Sequence, residues 1–352
     1  MNLSQLRTWA CAALLVAAGA LSAQAQGNWF NAPGNILISD QYNNRVIEVN
    51  PNNHKVVWHF GNGSSVAGPH SVVGVNDAQR VGPFTLIAGT GVPAGAEPTC
   101  PNGCADNRVM LVDPFGHIIW QYGQAGVTGS GWNQLNTPVQ NTWLPNFHIL
   151  ITDQANERII EVNLNKNIVW QYGQTGVTGD AHNQLNNPNS AELLENGHIL
   201  IADENNNRVI EVNRHKDVVW SYGCLNCSEL SGAAFASRLP SGNTLITDSN
   251  NNRILIVTPD KKVVFTYYTN ARPGSVSSPL PTRAVKLRNG HILISDQYNM
   301  QVIEIDPEKN IGFTQGMIAV AGNTFDMLNG PYDAKVIGDY TGLTSPFDFD
   351  AQ

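Results

Sequence analysis

The sequence places unlike chemistry at like positions in successive segments. After a recurring proline, or a residue standing in its place, come His70, Val139, Asn189, Ala234, Thr282 and Tyr332. The next position holds Ser71, Gln140, Ser190, Phe235, Arg283 and Asp333, and two residues further on stand Thr142, Glu192 and Lys335. A histidine near neutral pH serves as a base or a ligand. An arginine such as Arg283 can hold a carboxylate or sulfate through two hydrogen bonds. Asp333 and Glu192 are hard oxygen donors suited to a divalent cation and its waters. The expected ligand set is therefore His70, Gln140, Asn189, Glu192, Arg283, Tyr332 and Asp333. The competing reading is a water-filled channel whose polar residues satisfy one another.

Other titratable residues recur too regularly to be a site. Asp40, Asp153, Asp203, Asp248 and Asp296 each precede an Asn-rich turn, and Arg45, Arg158, Arg208 and Arg253 follow at fixed spacing. Glu48, Glu161, Glu211 and Glu304 come three residues after the Arg position. A group present in every repeat reads as a turn cap and an ion-pair device within the fold. His148, His198 and His291 share one repeat position with Asn35 and Asn243, which marks a turn position rather than a metal ligand.

The elements that position these residues follow from the repeat. Gly34 to Asp40, Gly197 to Asp203 and Gly290 to Asp296 are versions of one segment, as are Phe147 to Asp153 and Gly242 to Asp248. A degenerate copy runs from Pro83 to Gly89. The copies end at 40, 89, 153, 203, 248 and 296, in steps of 49, 64, 50, 45 and 48 residues. Each unit holds four short β-branched and aromatic runs between Gly, Asn, Asp and Pro turns, which read as strands. Six units of four strands predict an all-β, six-bladed β-propeller. The blades fall roughly at 34–63 plus 331–340, 68–123, 138–173, 188–223, 232–268 and 280–320. The first unit lacks a proline-led strand, and Pro331 to Ile337 supplies one at the far end of the chain. That strand is expected to complete the first blade and leave no open edge.

Composition narrows the function. Of 352 residues, 20 are Lys or Arg and 28 are Asp or Glu, for a net charge of −8. No basic cluster exists, which argues against nucleic acid and against a basic membrane-surface patch. Residues 1–25 read as a secretory leader: Arg7, an uncharged run from Trp9 to Leu21, then Ala23-Gln24-Ala25. No later segment is long and apolar enough to span a bilayer as a helix. The protein is expected to be exported, to the periplasm or beyond. In that setting Cys100 with Cys104 and Cys224 with Cys227 are disulfide candidates, the rival being a four-thiolate metal site.

The Asp-x-x-Asn-Asn-Arg-(Val/Ile)-Ile-Glu-Val pattern at Asp40 to Val49 and Asp203 to Val212 resembles the NHL-repeat propellers, over roughly residues 34–340. The resemblance implies the fold and not one activity, because such propellers host amidating lyases, gluconolactonase-like hydrolases and interaction scaffolds. The zinc centre of an amidating lyase needs several channel histidines, and only His70 is at hand. The Val-Val-Trp-x-Tyr-Gly strand is similar to repeats of propeller arylsulfotransferases, whose catalytic histidine motif has no match here. The expected function is a ligand- or protein-binding module acting through the channel-mouth face. The alternative is a lactonase-like lyase or hydrolase assisted by a divalent metal in the channel. Both place function on the face carrying the Cys100–Cys104 insertion, the Cys224–Cys227 loop and the paired Gly-rich loops from Gly123 and Gly173.

Overall fold

The computed structural model describes residues 29–347; the leader expectation falls on residues outside that range. Six four-stranded antiparallel sheets form a ring. Their innermost strands are Val75–Val81, Pro138–Trp143, Pro188–Leu193, Ala233–Arg238, Pro281–Lys286 and Pro331–Val336. The last of these pairs with Ile36–Asp40, placing Ala334 opposite Ile38, so the C-terminal strand completes blade 1 as the repeat arithmetic expects.

Each blade buries both faces against its neighbours, so the second and third strands are buried along most of their length, and along all of it in blades 1 and 3. Leu86, Val109 and Trp120 of blade 2, for example, pack on Ile149 and Ile160 of blade 3. Burying one such side chain is worth about 1.5–3 kcal/mol. Polar lacing adds direction to this packing. The indole N–H groups of Trp58, Trp120, Trp170 and Trp220 each donate to a carbonyl of the following blade, at 3.0–3.2 Å.

The recurring Asp and Arg are also structural. Asp153 Oδ1 accepts the Asn136 N–H at 2.8 Å and its Oδ2 meets Arg158 Nε at 2.8 Å. The rest of the guanidinium reaches the Ser130 carbonyl in the loop arriving from blade 2. The pair thus ties each incoming loop to its blade. Blade 2 keeps the device with altered parts. Gly89 stands where the aspartate should be, and Asp106 from the third strand binds Arg108 at 2.5 Å in the space left open. A Cβ on Gly89 would sit 2.6 Å from the Asp106 carboxyl carbon. Blade 6 has Gln301 at the arginine position, and Arg272 from the preceding loop meets Asp296 instead.

At the other face, His148, His198 and His291 lie 2.6–2.7 Å from Glu161, Glu211 and Glu304. In blade 1 Asn35 donates to Glu48 at 2.6 Å. Asn35 replaces histidine there because each supplies one donor to the same glutamate, whereas blade 5, with Asn243, has Ile256 at the glutamate position. Glu48, Glu161 and Glu211 also bind an arginine of the next blade.

Candidate functional site

A channel runs along the axis between the six innermost strands. Its upper mouth is the face where each repeated aspartate meets the start of an innermost strand. Each of these strands presents a free edge of N–H groups to the axis, and a free edge needs partners. The preceding blade supplies them. Asp333 accepts the Ala78 N–H at 3.3 Å, Asp77 that of Asn141 at 3.1 Å, Gln140 that of Ala191 at 2.7 Å and Ser190 that of Ala236 at 3.3 Å.

The next two blades hold Phe235 and Arg283 at this position, and neither side chain accepts a hydrogen bond. The Arg283 guanidinium lies 4.3 Å from the centre of the Phe235 ring. It meets Asp77 and Asp333 at 3.1 Å each. Lys335 Nζ reaches the same two carboxylates at 2.6 Å. Two cations and two carboxylates thus balance in a buried cluster. Burial pushes the Asp77 carboxyl up, Lys335 pulls it down, Asp333 pushes it up again and Arg283 pulls it down, leaving it at about 6.

The lower end is filled by the chain's own continuation. After Val336 the backbone turns under the channel. Asp339 accepts the Arg288 N–H of blade 6 at 2.8 Å, Gly342 lies against Ser237 and Leu239 of blade 5, and Thr344 reaches blade 4. There the Thr344 N–H and hydroxyl donate to Glu192 at 2.9 and 2.5 Å. Gln79 Nε2 donates to the Thr344 carbonyl, and Gln140 donates to Glu192 at 2.8 Å. Above the segment remains a cavity of about 20 Å³ lined by Gln79, Asn141, Glu192, Lys335 and Leu343, room for about one water.

The upper mouth has a different character. Tyr332 of blade 1 reaches across the axis to Asn189 of blade 4, with its hydroxyl 2.9 Å from Nδ2. The same amide donates to Glu204 Oε2 at 2.8 Å. Asn187 and Gln154 also donate to that oxygen, at 3.3 and 3.4 Å. No described residue donates to Oε1, and no described cation pairs with this carboxylate. Burial pushes the Glu204 carboxyl above its ordinary range. Burial and then the charge of Glu204 push the Tyr332 phenol up as well. Beside them the hydroxyls of Tyr42 and Tyr298 lie 3.4 Å apart. Glu97 stands near Tyr42 and accepts from Asn329 at 3.0 Å.

Both expected disulfides are formed, Cys100–Cys104 and Cys224–Cys227. They are consistent with an oxidising compartment. The first closes the insertion that carries Glu97, whose carbonyl accepts the Cys100 N–H at 2.9 Å. Tyr42 packs against this bridge together with Val73 and Val92.

The expected ring contains one register error. His70 is not on the innermost strand of blade 2 but in an exposed loop before it. Val75 pairs with Gly89 as Pro138 pairs with Asp153, so the true ring members are Asn76 and Asp77, six residues later. The cause is an extra turn, Gly68–Gly74, which buries Val72 and Val73 before the strand begins. Gln140, Arg283 and Asp333 join Asp77 and Lys335 in the middle of the channel, Glu192 joins the lower closure, and Asn189 and Tyr332 form the floor of the upper mouth. Sequence reasoning missed Glu204. The available signal was the residue directly after each repeated aspartate, which reads Gln41, Gln154, Glu204, Ser249 and Gln297.

The fold and channel define a six-bladed β-propeller. No family model matches the chain, and no curated protein matches it. Solved structures do. A Bacteroides caccae protein of unknown function is 16% identical, with 82% of this chain and 97% of that chain covered and a TM-score of 0.57. A streptogramin B lyase is 14% identical, with 79% and 78% covered and a TM-score of 0.51. A chain of a nidogen/laminin complex is 10% identical, with 80% and 92% covered and a TM-score of 0.53. At these identities the likeness shows the fold alone.

Proposed function

We propose that this chain is an exported propeller of the NHL-like type that binds a small-molecule or protein ligand at its upper mouth. One observation carries the reading: the channel is blind. Its lower end is filled by residues 337–347 and its middle charges answer one another, whereas its upper mouth gathers unlike residues from several blades around a carboxylate that no described cation pairs. Loops on a rigid ring are a common place for recognition. The disulfide-closed insertion stiffens that side, and one structural neighbour was solved as a nidogen/laminin complex. The leader-like N-terminus and the two disulfides support export.

The test is a ligand screen by thermal shift on the purified chain, together with partner capture from a periplasmic or culture extract. Hits should disappear in Tyr298→Ala and persist in Thr344→Val. Hits that persist in Tyr298→Ala and disappear in the lower-end variant would place binding elsewhere.

A second reading rests on the amide shared by Tyr332 and Glu204. A phenol and a half-buried carboxylate so linked are suited to moving a proton, as a lyase or hydrolase requires. Turnover of small lactones, esters or lyase substrates, lost in both Tyr332→Phe and Glu204→Gln, would establish it.

A further inference from the structure

We propose that the upper mouth takes a small organic ammonium ion, with Glu204 as its counter-charge and the rings of Tyr42, Tyr298 and Tyr332 around it. This deepens the ligand-binding reading above and rests on it.

The first support is an unanswered charge. Asp77 and Asp333 meet Lys335 and Arg283. The repeated aspartates meet arginines. Among the described residues Glu204 meets only neutral amides, all three on Oε2. Its Oε1 is left for a donor from outside. Glu204 is half-buried with no described counter-ion, and that partial burial pushes its carboxyl above the ordinary range. A cationic ligand would supply that counter-ion.

The second support is the wall. Tyr332 lies over the balanced cluster and shares the Asn189 amide with Glu204. Tyr42 and Tyr298 meet at their hydroxyls, and Tyr298 is 36% exposed. Tyr332 is the ring that feels Glu204, and Tyr298 and Tyr42 neighbour it; aromatic rings of this kind attract an alkylated ammonium through the ring quadrupole. Glu97 adds a second negative charge next to Tyr42, held in place by the Cys100–Cys104 loop. A bare divalent metal fits less well. It asks for several oxygens converging at short range, whereas the groups converging on Glu204 are amide N–H donors.

The test is calorimetric titration of the full chain with choline and with dimethylbutanol, its uncharged carbon isostere. Choline should bind saturably and the isostere at least about tenfold more weakly. Glu204→Gln and Tyr298→Ala should each weaken choline by about tenfold, while Thr344→Val should leave it unchanged. Thermal unfolding of each variant confirms that it is folded. Equal binding of the isostere, choline binding that survives Glu204→Gln, or no saturable choline binding would overturn the assignment. If a different ligand from the screen binds and is lost in Tyr298→Ala, the mouth remains a binding site and only its cation preference falls. If no ligand or partner is captured at all, the ligand-binding reading falls with it.

Discussion

The two ends of the channel are built on the same six strands, yet they satisfy their carboxylates to different degrees. In the middle Asp77 and Asp333 meet Lys335 and Arg283, and below them Glu192, which no described cation pairs, takes neutral donors on both oxygens, Gln140 on Oε1 and Thr344 on Oε2. Above, Glu204 takes its three neutral donors on Oε2 alone, and no described residue donates to Oε1. A buried carboxylate bonded on both oxygens, as Glu192 is, holds its surroundings in place, whereas the half-buried Glu204 keeps one oxygen for a donor from outside. The same ring can therefore be rigid at one end and receptive at the other.

Substitutions should separate the ends by sign. The largest effect belongs to Arg283→Met, which leaves two carboxylates facing Lys335 alone. It should cost about 3–5 kcal/mol, read from urea unfolding, because removing one partner strands a buried charge. Thr344→Val comes next. Losing its hydroxyl takes one of the bonds to Glu192 and should cost about 1–3 kcal/mol by the same measurement. A smaller effect concerns pH at the His–Glu–Arg sites of the lower face. Burial pushes Glu161 and Glu211 up, but His148 with Arg214 and His198 with Arg238 pull harder and leave both carboxyls lowered. Their contribution is complete above the ordinary carboxyl value of 4.5 and is lost as pH falls through their lowered values. The melting temperature should therefore drop on acidification in that range, less steeply in Arg214→Ala.

The smallest effect has the opposite sign. The Glu204 carboxyl is raised, so its contribution is fully present below the unfolded value of 4.5 and is lost as pH rises through the folded value. Glu204→Gln mimics the protonated form. At neutral pH it should stabilise by less than about 1 kcal/mol, seen as a small rise in melting temperature. A loss of stability there would erase the contrast between the two ends.

The ring itself was legible because its signals repeat. Five Asp-terminated strands and four Trp-bearing outer strands state one unit many times, and the missing first strand is visible as Pro331 to Ile337. The site was less legible, for two physical reasons. Register within a blade depends on loop packing that no strand pattern records. The extra turn at Gly68–Gly74 moved the inner strand of blade 2 and exchanged His70 for Asn76, and Ser71 for Asp77. Contacts across the axis join residues from different blades, as Tyr332 does with Asn189, and nothing local in sequence marks them. The closure of the lower end by residues 337–347 was equally hidden, since that segment lacks both strand pattern and repeat.

The strand that completes blade 1 has a bearing on how the molecule is made. Ile38 is among the earliest residues of the ring and its partner Ala334 among the latest. In a chain made amino end first, the flank of Ile36–Asp40 has no native partner until the final strand has been made. Contacts between such distant residues carry a large loop-closure entropy and slow folding. The segment under the channel follows directly after that strand, so ring closure and sealing come in one late event.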